Sequence, residues 1–178
     1  MRLPPTIPEP PVHAVLFQFR PHPDQRDTYF ALVAKLRPEL QRIDGFLENE
    51  RFASTADPSW LLSLSLWRDE AAILRWRQHA EHRVAQVRGK REVFAGYRLR
   101  VCEVAEEAGA DDLRLVIGRD LVPAGDDGEP FDSITAPGRR LVLGGTQPPP
   151  GEEVERQLAL RIVRDYGFGE PPPGEPGR

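Results

Sequence analysis

The sequence predicts an α+β fold whose strands and helices follow the order β-α-β-β-α-β over residues 12–105. Three observations lead to this prediction. Several short segments alternate in side-chain type, as half-buried strands do. Two longer segments between them carry apolar residues at helical spacing. Turn and capping residues separate the segments from one another.

The first strand and the first helix come from the N-terminal part of the chain. Residues 12–20 (VHAVLFQFR) alternate and predict a strand, which two prolines end. Asp24 is a suitable N-cap for the helix that follows, and Asp44-Gly45 is its stop signal. We expect Pro38 to bend or restart this helix, because proline removes a backbone donor.

Three further strands and a second helix complete the pattern. The strands are predicted at residues 46–54 (FLENERFAS), 60–67 (WLLSLSLW) and 93–104. Asp69 caps the second helix, which we expect to continue, with or without a kink, to Gly89.

This order of elements is that of the ferredoxin-like fold, in which both helices cover one face of an antiparallel sheet. The opposite face is rich in apolar residues and has to be buried. A second copy of the same sheet would bury it. The sequence therefore predicts a homodimer that forms a dimeric α+β barrel.

The segments outside residues 12–105 give weaker patterns. Residues 1–11 are a proline-rich leader, residues 106–168 are a C-terminal extension, and residues 169–178 are expected to be a disordered tail. Two short strands are expected within the extension, at residues 113–118 and 140–144. Its segment 151–166 begins with two acidic residues, which favours a helix, although LALRIV within it also fits a strand.

Composition excludes several classes of function. Residues 1–105 carry a net charge of +3 and residues 106–178 carry −7, so no concentrated basic face for nucleic acid is expected. No apolar run reaches the roughly 18 residues of a membrane-spanning helix. The single cysteine, Cys102, excludes an internal disulfide, and no signal-peptide pattern is present. We expect a cytoplasmic protein without nucleic-acid or membrane partners.

Residues 12–105 resemble the antibiotic biosynthesis monooxygenase domain, a family of dimeric ferredoxin-like proteins. The matching segments are GFLENERF (45–52), LLSLSLWRDEAAILRWRQHAEHRVAQVRGK (61–90) and FAGYRLRV (94–101). They combine a strand that ends in tryptophan, an acidic helix start, a second tryptophan nine residues on and an EHR triplet. The resemblance implies a site between the sheet and its helices. It also implies oxidation of a small phenol-, quinol- or anthrone-like substrate by O₂ without a cofactor.

The second helix carries most of the candidate site residues. On an unbroken helix, Trp76, His79, Arg83 and Gln86 form one stripe, and His82 pairs with Gln86. His79 or His82 would take a proton from the substrate, and Arg83 would stabilise the resulting oxyanion. Trp76 and Gln86 would contact the substrate. In the alternative interpretation, Trp76 is a core residue, and the polar residues cap the helix end and contact the dimer partner.

Two strands contribute further candidates for substrate binding. Ser63 and Ser65 are expected on a cavity-facing surface of the third strand, where they relieve crowding or bind the ligand by hydrogen bonds. Gln18, on the first strand, is expected to reach the same cavity.

The resemblance also implies a haem alternative. Haem-degrading relatives press a tryptophan on the porphyrin, and Trp76 matches it. The same relatives place the proximal histidine where this chain has Gln86, and a distal asparagine where it has Gln18. An amide is a poor iron ligand, so His79 or His82 would have to replace the proximal histidine.

Metal ions are not expected, because HAEH spaces its histidines three residues apart whereas the helical zinc motif needs four. Three functions remain open. The first is a cofactor-independent monooxygenase acting on a small aromatic ligand. The second is a haem-binding or haem-degrading protein. The third is a non-catalytic dimeric module that binds a ligand or supports assembly.

Overall fold

The structure, a computed structural model, describes residues 10–123, 128–145, 153–169 and 172. Most of the predicted leader and tail therefore lies outside the described residues. The strands are β1 (His13–Pro21), β2 (Phe46–Ser54), β3 (Leu61–Trp67), β4 (Phe94–Ala105), β5 (Leu113–Arg119), β6 (Glu129–Ser133), β7 (Arg139–Leu143) and β8 (Glu153–Gly169). The helices are α1 (Arg26–Gln41), α2 (Glu70–Gln78) and α3 (Ala80–Arg88), with a 3₁₀ turn at Pro23–Gln25 and a π turn at Gly89–Val93. Within the described part of the chain, no helix is long and apolar enough to cross a membrane.

The strands form a closed antiparallel barrel in the order β1-β3-β2-β6-β7-β5-β8-β4. The α+β class of the prediction is confirmed, and the first half shows the predicted order of strands and helices. The sheet differs, because it has eight strands rather than four. Within the barrel, the arrangement β4-β1-β3-β2 of the first half is repeated as β8-β5-β7-β6 by the second half. The described residues between the strands of the second half contain no helix.

The second half fills the position that the sequence assigned to a partner subunit. Leu16 and Leu64 of the first half belong to the same fully buried cluster as Leu115 and Ile117 of β5. The apolar face of the first sheet is thus covered by strands of the same chain. Burial of that face therefore no longer requires a homodimer, and a homodimer stays a prediction on other grounds.

Of the two alternatives left open for the segment 151–166, the helix is wrong and the strand is confirmed, because residues 153–166 belong to β8. Its hydrogen bonds run to β4 on one side and to β5 on the other. Leu158, Leu160 and Ile162 alternate along it and pack into the barrel core. Pairing on both edges therefore outweighs the helical spacing and the acidic start.

The second helix is capped as predicted but is broken. The Asp69 carboxylate accepts a hydrogen bond from the Ala72 backbone N–H at 2.7 Å. Extended backbone at His79 (φ −59°, ψ 129°) then separates α2 from α3. Gly45 has φ +90°, and a Cβ there would lie 2.7 Å from that of Ala72, so this glycine allows α2 to approach the end of α1. Of the two effects predicted for Pro38, the restart does not occur, because α1 continues through this residue.

Candidate functional site

The outer face of the first four strands packs against the helices. Phe19 and Leu61 of the sheet are fully buried against Tyr29 of α1 and Val93 of the π turn. Phe17 packs against the edge of this cluster. Apolar contacts therefore attach α1 and the π turn to one part of the outer face.

Strand register arranges the outer-face side chains in rows that run across the barrel. The row next to the buried cluster is formed by directly paired residues of five neighbouring strands, and we call it the central row. Its members are Arg51, Ser63, Phe17, Leu99 and Tyr166.

The central row remains accessible, whereas the barrel side of the same strands is sealed. None of its five side chains is fully buried, and Tyr166 is 43% exposed. Leu62 and Leu64, which flank Ser63 and point into the barrel, are 0% and 1% exposed. The outer face of the sheet is therefore partly exposed to solvent, whereas its interior is not. We call this accessible strip beside the helices the cleft, with the central row as its floor.

Hydrogen bonds organise the polar end of the cleft. Asn49 donates through its side-chain amide to the Ser63 hydroxyl and to the Leu64 carbonyl, both at 2.9 Å. Trp67 donates through its indole N–H to the Ser65 hydroxyl at 2.9 Å. Both serine oxygens therefore act as acceptors, which leaves each hydroxyl hydrogen free to donate to a ligand.

Arg51 and Tyr29 connect this polar end to α1. The Arg51 Nε–H donates to the Tyr29 hydroxyl at 2.9 Å. Burial raises the pKa of Tyr29 above its ordinary value, although the Arg51 charge and this hydrogen bond act in the opposite direction. Tyr29 is therefore a protonated phenol at neutral pH.

Trp76, His79 and His82 form a second cluster, where the break between α2 and α3 meets the end of α1. The Trp76 and His82 rings stack with centroids 4.2 Å apart and planes at 15°. The His79 ring centroid lies 5.5 Å from that of Trp76. His79 Nε2 lies 3.6 Å from a Glu39 carboxylate oxygen of α1, within ion-pair reach but too far for a hydrogen bond.

The surroundings of His82 determine its protonation. Burial lowers the pKa of His82 to about 4, so the ring is neutral at physiological pH. His82 Nδ1 lies 2.9 Å from the Trp76 carbonyl oxygen, which can only accept a hydrogen bond. The proton of the neutral ring is therefore on Nδ1, and Nε2 carries the lone pair.

Arg83 and Gln86 do not join this cluster as predicted. Both side chains are exposed, because the extended residue His79 rotates α3 relative to α2 and ends the single stripe. Gln86 reaches only to 3.5 Å from His82 Nδ1, whose proton the Trp76 carbonyl already accepts. The predicted stripe from Trp76 to Gln86 is thus corrected to a compact group of three rings.

The position of Gln18 also corrects the prediction. Its neighbours in sequence face the helices, and the alternation of β1 therefore turns Gln18 into the barrel, away from the cleft. There its side-chain carbonyl accepts a hydrogen bond from Arg100, and its amide lies 3.5 Å from Glu129. Burial raises the pKa of Glu129 to about 7. These buried groups link β1 and β4 to β6.

The structure thus divides the predicted site residues into separate groups. Ser63 and Ser65 lie in or beside the cleft, and the ring cluster lies at the helix break. No hydrogen bond or ring contact joins these two groups among the described residues. Sequence reasoning missed Arg51, Asn49 and Tyr29 as site residues. The signal for the first two was present, since the alternation of FLENERF places both opposite the glutamates of β2.

Other candidates for chemistry are poorly placed. Burial raises the pKa of Cys102 to about 11, which keeps it a thiol. Within the described ranges, no group of three or more His, Cys, Asp or Glu side chains could hold a metal ion.

Comparison with known proteins identifies the domain that carries the cleft. A sequence profile of the family described as antibiotic biosynthesis monooxygenase matches residues 12–88. One relative, the uncharacterized protein YqjZ of Bacillus subtilis, is 31% identical over 98 residues. The match spans 54% of this chain and 82% of that protein. The chain belongs to the antibiotic biosynthesis monooxygenase family.

One relative of this monooxygenase-family chain carries a named activity. The jasmonate monooxygenase ABM of Pyricularia oryzae is 47% identical over 103 residues. The match covers 58% of this chain and 48% of the relative, so this chain spans less than half the length of that protein. Among solved structures, Rv0793 of Mycobacterium tuberculosis has a TM-score of 0.48 at 20% identity, over 55% of this chain and 98% of that one.

Proposed function

We propose that this protein is a monooxygenase that oxidises a small aromatic, anthrone- or quinol-like substrate with O₂ in the cleft, without a cofactor. The observation that carries the proposal is the central row, an accessible strip of paired polar and apolar side chains in a domain of the monooxygenase family. Phe17 and Leu99 offer an apolar surface to a ring. Ser63 offers a hydrogen-bond donor beside them.

An anthrone-type substrate can supply every electron that this reaction requires. Removal of a proton from the ring methylene gives a carbanion conjugated with the ring oxygen. The carbanion donates an electron to O₂, and the two radicals combine to form a C–O bond. The O–O bond then breaks as the second hydrogen leaves, which gives a carbonyl product and one molecule of water. Both oxygen atoms are accounted for, and no external reductant enters.

We assign the first proton transfer to His82 rather than to His79. The fixed tautomer of His82 leaves the Nε2 lone pair available, whereas Nε2 of His79 faces Glu39. A base whose pKa is about 4 has little driving force, so the developing oxyanion has to be stabilised by a donor. We assign this role to the Ser63 hydroxyl in place of Arg83, because Arg83 is exposed and Ser63 lies on the floor of the cleft.

The test is oxygen consumption by the purified protein in the presence of a chelator. Anthrone and a hydroquinone are offered without reductant, and jasmonate is offered with and without ascorbate. Hydroxylation of a saturated carbon, as in jasmonate, needs two electrons beyond those of the C–H bond. Oxygen uptake without reductant therefore indicates an anthrone- or quinol-type substrate, and uptake that requires ascorbate indicates a jasmonate-type substrate. We expect anthrone to consume one O₂ per quinone formed.

The Ser63→Ala variant is expected to slow this reaction about 100-fold, the usual cost of losing one oxyanion donor. The matched control is Ser59→Ala, whose hydroxyl bonds to Asp57 in an exposed turn. The wild-type rate is expected to be independent of pH above about 5, since His82 is already neutral there. Oxygen uptake no faster than the uncatalysed reaction, or uptake only with jasmonate and ascorbate, would overturn the proposal.

The residues present do not fit haem well. Trp76, which would press on the porphyrin, stacks on His82 instead. The position of the proximal ligand is the exposed Gln86, whose amide is a poor iron ligand. We therefore expect hemin titration to give no shift of the Soret band, and a defined shift would favour the haem alternative.

A further inference from the structure

Arg51 is a half-buried cation without an acidic partner in the cleft. The two glutamates that precede it on β2, Glu48 and Glu50, point to the opposite face of the strand. There Glu50 pairs with Arg139, and Glu48 pairs with Arg156 of the second half. Strand alternation therefore directs the carboxylates of β2 towards arginines of the second half, and it places Arg51 on the floor of the cleft.

In the part of the chain that the structure describes, only one of the three guanidinium nitrogens of Arg51 is bound by another side chain. Nε donates to the Tyr29 hydroxyl at 2.9 Å, and the guanidinium carbon lies 5.9 Å from the centroid of the Tyr29 ring. Its two terminal nitrogens, Nη1 and Nη2, have no hydrogen bond or ion pair among the described residues. Arg68 shows the contrast, because its terminal nitrogens bind both carboxylate oxygens of Asp44 at 3.0 and 2.7 Å.

An arginine with a fixed Nε and two free terminal nitrogens suits a carboxylate. The planar guanidinium fork matches the two carboxylate oxygens, and such paired, charge-assisted hydrogen bonds are strong where water is partly excluded. Tyr29 holds the fork in position before a ligand arrives, which lowers the entropy lost on binding.

The central row adds a direction to this site. Neighbouring strands are about 4.8 Å apart, so Phe17 lies about 10 Å from Arg51 and Leu99 about 14 Å from it. Polarity falls along the same path, from the cation through Ser63 to the two apolar residues. A ligand that matches this floor has an anionic group at one end and an apolar ring system at the other.

We propose that Arg51 binds a carboxylate of the substrate, so that the cleft selects carboxylated ring compounds and orients their apolar part over Phe17 and Leu99. This inference rests on the proposed function of the cleft. Arg51 acts in binding, so its loss is expected to raise KM for a carboxylated substrate and to leave kcat nearly unchanged.

The experiment measures the binding of two probes, anthraquinone-2-carboxylate and its neutral carboxamide, by isothermal titration calorimetry. We expect the wild-type protein to bind the carboxylate at least 10-fold more tightly. The Arg51→Leu variant should lose this preference and keep its affinity for the carboxamide. The Tyr29→Phe variant retains the guanidinium but loses the hydrogen bond that holds it, so it should weaken the preference without abolishing it, which separates the charge from the hydrogen bond. The matched control is Arg37→Leu, an exposed arginine of α1.

Circular dichroism melting curves establish that each variant is folded before it is titrated. Equal affinity of the wild type for the two probes, no binding of either, or a preference that survives in folded Arg51→Leu would overturn the inference. Calorimetry and oxygen uptake can fail separately. A carboxylate preference without oxidation would leave the binding site standing and remove the oxygenase. Oxidation of neutral anthrone without a preference would remove only the role of Arg51.

Discussion

The closed barrel predicts that its two halves unfold together, and Ile117→Ala tests this. Ile117 lies in the second half, is 0% exposed, and belongs to the core cluster that also contains side chains of β1, β2 and β3. The substitution removes three carbon atoms from that cluster. At about 0.8 kcal/mol for each buried carbon, the lost transfer free energy is about 2.4 kcal/mol. A residual cavity brings the expected loss of unfolding free energy to about 3 kcal/mol.

The three tryptophans make fluorescence specific for the first half of the barrel, which does not contain the substituted residue. Trp60, Trp67 and Trp76 all lie in the first half, and the first two are 3% and 2% exposed. Tryptophan fluorescence during denaturation therefore reports unfolding of the first half. For a chain of this length, 3 kcal/mol corresponds to a fall in Tm of about 6 to 12 °C. We expect the fluorescence and far-UV circular dichroism transitions to fall together by this amount.

The control for this prediction is Val154→Ala, on β8 with a side chain that is 47% exposed, which should change stability by less than about 0.5 kcal/mol. A tryptophan transition that stays at the wild-type temperature in Ile117→Ala would refute the reasoning. It would mean that the first half folds on its own and that the second sheet does not seal its core.

Two further predictions concern the helix that carries the ring cluster. Asp69→Ala should destabilise the protein by about 1 kcal/mol in urea, because it removes the hydrogen bond to the Ala72 N–H, whereas Asp69→Asn should retain most of the stability. His82→Gln should remove an acid-sensitive contribution to stability. The pKa of His82 is lowered from 6.5 to about 4 in the folded state, so the unfolded state binds the proton first and stability falls as the pH falls from 6.5 to 4. Glu129, whose pKa is raised, contributes with the opposite sign, but it is present in both proteins and cancels in their difference. A difference in unfolding free energy that does not change between pH 7 and pH 4 would contradict the burial of His82.

The position of Arg51 explains why the cleft and the ring cluster carry different parts of the proposal. Binding and orientation depend on side chains that β2, β3 and β1 bring into one row by direct pairing. Proton transfer is proposed for His82, which lies on another element, in α3 just after the helix break at His79. On this proposal the anionic end of the substrate stays at Arg51 and its reacting carbon lies on the side of the row that faces the helices. Variants at the two places should therefore change different kinetic constants, KM for Arg51 and kcat for His82.

The features that depend on interactions between nearby residues could be predicted from the sequence. Alternation located the first four strands, and the Asp69 cap is a hydrogen bond between residues three positions apart. The segments around Trp67 and Trp76 were also sufficient to indicate the family. In each case the decisive interaction is local or is a pattern of side chains along one element, so it can be read along the chain.

The remaining features could not be predicted in this way, because the interactions that produce them join residues far apart in the sequence. β8 is a strand since it pairs with β4, about sixty residues earlier, and with β5 on its other edge. Register across five strands placed Arg51 in line with Phe17 and Leu99, and turned Gln18 away from them into the barrel. Burial of the His82 ring, which stacks on Trp76, lowers the pKa of His82. Pairing, register and desolvation depend on which segments meet, and no local pattern in the sequence specifies that.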